Sequence, residues 1–70
     1  MADGIMIIYR DEHENNIMKI TSNYVPKSDE GVTLNGKNFK VDSVKHIINN
    51  YEDFEEIFLV VVREDKTVQL

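Results

Sequence analysis

A mainly β domain, a small antiparallel five-stranded barrel or β-roll, is what this 70-residue chain predicts. Three observations carry it. Apolar residues alternate with polar ones over most of the length. Asn35-Gly36 sits between two such alternating segments, and residues 57–62 form an unbroken apolar run (Ile-Phe-Leu-Val-Val-Val). Period-two alternation is the mark of a half-buried strand, and a short continuous apolar run is that of a strand buried on both faces.

The first strand is Ile5-Met6-Ile7-Ile8-Tyr9, a β-branched run. Residues 10–16 are polar and cannot bury a face, so they read as a connection. Residues 17–25 then alternate, with Met18, Ile20 and Tyr24 on one face and Lys19, Thr21 and Asn23 on the other. Pro26 removes an N–H from the ladder and ends the strand, and residues 27–30 form a polar loop.

The next signal is the sharpest. Asn and Gly both tolerate the positive φ of a type I′ turn, whose twist matches that of paired strands. A two-residue loop at Asn35-Gly36 pairs Leu34 with Lys37, Thr33 with Asn38 and Val32 with Phe39, which brings two apolar side chains together on one face.

Residues 42–51 admit two readings. Val44, Ile47, Ile48 and Tyr51 follow helical spacing, with Asp42 or Ser43 available as N-cap, and a short helix at 43–51 would make the fold α+β. Alternatively the strand through Phe39 and Val41 continues, and a bulge near Asp42-Ser43 accounts for the broken alternation. The long bulged strand is the expectation. Asn49-Asn50 is then a turn, residues 51–56 a loop, residues 57–62 the last core strand, and residues 66–70 a short edge strand or tail.

The pattern V-P…G-V-x-L-N-G-K-x-F-x-V-x-x-V, carried by Val25-Pro26, Gly31-Val32, Leu34 to Lys37, Phe39 to Val41 and Val44, resembles the small SH3-like β-barrel proteins of phages and bacterial mobile elements. The likeness spans residues 24–62. It implies a barrel built on a proline-led loop, a tight hairpin and a long curved strand. It also implies a phage-type accessory role, and it brings no catalytic residues with it.

Composition narrows function mainly by exclusion. The net charge of −5 disfavours a duplex-DNA binder, which needs surplus cations against phosphate. Eight interspersed cations in turn dilute any carboxylate array that would imitate nucleic acid. Without cysteine there is no disulfide framework, thiolate zinc site or cysteine nucleophile. No apolar run is long enough to span a bilayer and no export signal opens the chain, so a cytoplasmic protein is expected. Asp11-Glu12-His13-Glu14 is read as a solvated hairpin tip and not a metal site, and no cofactor is expected. His46 has no partner that the sequence can identify, so no enzyme is expected.

The feature that points to function is residues 51–56, where Tyr51 and Phe54 are threaded through Glu52, Asp53, Glu55 and Glu56. Phe54 folding back to plug the barrel end is one reading. An exposed patch is the other, with Tyr51 and Phe54 as anchors and the acids steering towards a basic protein surface. Tyr24, Asp29 and Glu30 extend that patch if the two loops share a barrel end. Residues 57–62 put large side chains on both faces. A homodimer is therefore expected, with Phe58, Val60 and Val62 at its interface. The expected role is a single-domain, non-enzymatic module that binds and modulates a host protein. A virion or assembly subunit and an oligomeric small-ligand-sequestering protein are the alternatives.

Overall fold

The computed structural model describes residues 4–51 and 54–66. It contains five strands: β1 (Ile5–Asp11), β2 (Asn16–Ser22), β3 (Gly31–Leu34), β4 (Lys37–Asn50) and β5 (Phe54–Glu64). They form one curled sheet in the order β2-β1-β5-β4-β3, a half-barrel whose inner face holds the core. Among the described residues there is no helix, so none is long and apolar enough to cross a membrane. The mainly β expectation holds, and the helix at 43–51 is replaced by strand.

Two features of the sheet differ from a wholly antiparallel barrel. β1 and β5 run parallel, Ile7 beside Phe58 through Asp11 beside Val62, while the other three ladders are antiparallel. The first and last strands thus meet at the centre, and β2 and β3 are left as opposite edges.

The Asn35-Gly36 hairpin forms in the expected register, Val32 opposite Phe39 and Leu34 opposite Lys37, with φ of 53° and 83° at the two turn residues. The bulge also falls where alternation breaks. Val41 pairs with Val62 and Ser43 with Val61, leaving Asp42 as the extra residue. That insertion keeps Val44 on the same face as Phe39 and Val41. Asp42 turns outward and accepts from the Arg63 guanidinium at 2.9 Å.

The core is Ile7, Tyr9, Leu34, Phe39, Val41, Val60 and Val62, with Ile5, Ile17, Met18, Val25, Val32, Val44 and Phe58 packed around it. β2 ends at Ser22, earlier than the alternation through Val25 indicates, because residues 23–30 leave one sheet edge for the other. This strap passes over the inner face, packing Val25 on the core and burying Pro26. It lands on β4, where the Asp29 N–H donates to Val41 O (2.8 Å) and the Val41 N–H to Glu30 O (2.9 Å). The Glu30 carboxylate fastens the strap from within, accepting from the Tyr24 hydroxyl at 2.8 Å and the Lys27 N–H at 2.9 Å. Both bonds favour the ionised form and hold its pKa below the usual carboxylate value. Beneath the strap, burial and then the Glu30 charge raise the pKa of the Tyr9 phenol.

Candidate functional site

β4 and β5 are the longest strands, with 14 and 11 residues, and they outrun their neighbours. β3 pairs with β4 only as far as Lys40, and β1 with β5 only from Phe58 onward. The rest of the hairpin, Val44 to Asn50 against Phe54 to Phe58, projects as an arm that accounts for the elongated 50 × 27 × 18 Å shape. The inner face of this arm has no covering layer. Exposure accordingly rises along it from half-buried Val44 to Ile48 at 53% and Tyr51 at 90%.

On that inner face Phe58 lies opposite His46, and the two rings stack with centroids 4.2 Å apart and planes 6° from parallel. His46 Nε2 lies 2.7 Å from a Glu56 carboxylate oxygen. Ring stacking on one side and a carboxylate at the nitrogen fix the imidazole plane on an otherwise open surface. The sequence does not reveal this pair, because it depends on the β4–β5 register. A turn at Asn49-Asn50 followed by a loop leaves that register undefined. In fact Asn50 is the last residue of β4 and pairs with Phe54, while Glu55 and Glu56 are already in β5.

The anticipated acidic-aromatic loop is therefore shorter than expected. Tyr51 stands at its start, fully presented to solvent. Phe54 opens β5, and Glu55 pairs with Asn49, whose Nδ2 donates to it at 3.4 Å. Glu52 and Asp53 lie outside the described residues, as does the position of the Phe54 side chain; residues 67–70 of the expected tail are likewise outside. Tyr24, Asp29 and Glu30 do not extend the patch. They belong to the strap, which meets β4 at Val41, ten residues from Tyr51 and about 30 Å away along the strand. The Tyr24 hydroxyl, the Glu30 carboxylate and the Asp29 N–H are engaged in holding the strap down.

The expected interface residues also need correcting. Val60 and Val62 are 0% exposed and Phe58 is half-buried against the core, so these positions are covered by the chain itself. The apolar side without a covering layer among the described residues is the opposite one, that of Ile57, Leu59 and Val61.

At the far end of the half-barrel the two tight turns approach one another. Between them lies a cleft of about 320 Å³, floored by Ile17, Leu34 and Phe39 and rimmed by Glu12, His13, Lys37 and Glu64. Asp11 opens onto it, but its carboxylate is occupied by the turn, accepting the N–H groups of His13 (2.8 Å) and Asn15 (2.9 Å). The Asn15 bond is the main reason the Asp11 pKa is lowered. Among the described residues no three His, Asp or Glu side chains converge as metal ligands.

Fold and site together define a mainly β half-barrel with a projecting hairpin arm. The chain matches no known protein family, no curated protein and no solved structure.

Proposed function

We propose that the chain is a non-catalytic module that acts stoichiometrically, laying its β4–β5 arm on the surface of a protein partner. The observation that carries this reading is the 90% exposure of Tyr51, with Ile48 exposed behind it, on an arm that no other part of the described chain covers. Exposed aromatic and aliphatic side chains on a hairpin are effective anchors, because Tyr and Ile bring large apolar area with few torsions to order on docking. The net charge of −5 directs the module towards a basic surface. The likeness to phage and mobile-element barrels makes a bacterial host protein the natural target, with inhibition or modulation the natural outcome.

The test is affinity capture from bacterial lysate with wild-type protein and a Tyr51→Ala/Ile48→Ala variant. Both positions are exposed, so the variant folds. Loss of a partner that wild type retains is the expected result, with affinity lowered roughly 30-fold or more if Tyr51 is a hot spot. Equal recovery of the same partners would overturn the reading.

The cleft favours one second reading. Its volume lies at the lower end of small-ligand sites and it has an apolar floor with a polar rim, as a sequestering protein requires. A small molecule retained in native mass spectrometry, and lost on Leu34→Lys substitution, would favour sequestration over docking.

A further inference from the structure

We propose that the outer face of the sheet docks a short, acidic, amphipathic helix of another protein. This surface is separate from the arm tip and does not depend on the tip's role. Because Ile7, Tyr9, Phe58, Val60 and Val62 point inward, their neighbours Met6, Ile8, Ile57, Leu59 and Val61 point outward, joined by Ile47 opposite Ile57. All six are half-buried, and no second layer of the described chain covers them. One sheet row reads Lys19, Ile8, Leu59, Lys45 across β2, β1, β5 and β4, an apolar pair with a cation on either side. The rows to either side hold Thr21 with Met6, Ile57 with Ile47, and Arg10 with Val61 and Ser43.

The charge on this face opposes that of the molecule. Arg10, Lys19, Lys40, Lys45 and Arg63 are on outward positions, against the carboxylates of Glu55, of Asp65 opposite Asn38, and of Asp42, which is already paired with Arg63. The side chains of Lys19 and Lys45 make no hydrogen bond or ion pair among the described residues. A strongly acidic chain thus carries a cationic, apolar-centred face.

Size and chemistry select the occupant. Two strand spacings give the apolar strip a width of about 10 Å, and the four residue steps from Ile57 to Val61 a length of about 13 Å. That is the diameter of one helix and between two and three of its turns. A layer covering a sheet face is a helix or another sheet. A second copy using this same face would set cations against cations. Nucleic acid is disfavoured because no outward residue in these rows is aromatic, so successive bases find no ring to stack on. A helix with leucines on one stripe and carboxylates along its flanks satisfies both the apolar pairs and the two lysines.

The experiment follows backbone amide chemical shifts of the full chain during titration with a synthetic helical peptide. The peptide carries Leu at i, i+3, i+4 and i+7 with Glu on the flanks. Its controls are a Lys-for-Glu version and a scrambled sequence of the same composition. Expected are shifts centred on Ile8, Lys19, Lys45 and Leu59, no binding of either control, and a loss of about tenfold or more in affinity for Lys19→Glu/Lys45→Glu. Circular dichroism of that variant confirms that the fold is kept. The proposal is overturned by absence of shifts at millimolar peptide, by shifts confined to Tyr51 or the cleft, or by equal binding of the basic peptide. Adsorption of the protein to phosphatidylglycerol vesicles, or a dimer in sedimentation that occupies Leu59, would also overturn it.

Discussion

Val60 and Val61 are chemically identical neighbours on β5, and the fold assigns them opposite environments. Val60 is fully enclosed in the core, while Val61 lies half-buried on the outer face. Replacing Val60 by Ala deletes two buried methyl groups, about 1.6 kcal/mol of transfer free energy, and leaves a void whose lining cannot fully collapse. The total should be about 2–3 kcal/mol. For a chain this short the whole folding free energy is about 4–10 kcal/mol, so a single substitution removes a large share of it. Val61→Ala removes the same atoms from a face already in partial contact with water and should cost under about 1 kcal/mol. Urea unfolding followed by circular dichroism separates the two. With a slope of about 1 kcal/mol per molar, the Val60→Ala midpoint falls by about 2–3 M and that of Val61→Ala by under about 1 M. Equal losses, or a larger loss at Val61, would mean that β5 presents its other face to the core. The bulge-set register of β4 and β5, and the outer docking face derived from it, would then both be wrong.

Deleting Asp42 should be more damaging than either substitution, because without the bulge Val44, His46 and Ile48 change faces relative to Phe39 and Val41; loss of the cooperative thermal transition is the expected result. Gly36→Ala should cost about 1–2 kcal/mol purely from backbone strain at φ 83°, since no atom lies within 4 Å of the added carbon; Gly36→Asn should cost clearly less in the same melts. Glu30 and Asp11 have native pKa values below their ordinary values of 4.5 and 3.8, so each stabilises the fold above that value and ceases to as the pH falls through the lowered native one. Thermal midpoints should therefore drop as the pH falls below about 4.5, with a shallower drop in Glu30→Gln, whose midpoint is already lower at neutral pH.

Where local chemistry decides structure, the sequence was readable. Asn35-Gly36 specifies both its turn and its register, because a one-residue shift would set Phe39 against a polar partner. The interruption between Val41 and Val44 located the bulge, since a core-facing strand can lose step with its own alternation only by inserting a residue. What could not be read depends on which strand lies beside which. The parallel pairing of β1 with β5 leaves no trace in either strand's pattern. The strap looks like an ordinary polar loop until Val25 and Pro26 are seen on the core. Tyr24, Asp29 and Glu30 carry the residue types of a binding patch, and the roles of Tyr24 and Glu30 became clear only from the hydrogen bonds at Glu30. The His46–Glu56 contact joins residues ten apart across a hairpin whose turn lies beyond Asn50, so the exact turn position was needed to find it.

The placement of β5 between β1 and β4 bears on how such a polypeptide reaches its native state during synthesis. Two hairpins emerge from the ribosome first, each with an apolar side, and only the strap of residues 23–30 links them. The element that knits them together is made after both. The ladder that joins the two halves of the sheet, β1 with β5, then spans most of the sequence, which favours slow, late consolidation over early local collapse. A nascent chain halted before Phe54 would display two sticky, unpaired ribbons, so premature termination should yield aggregates and not a smaller working domain.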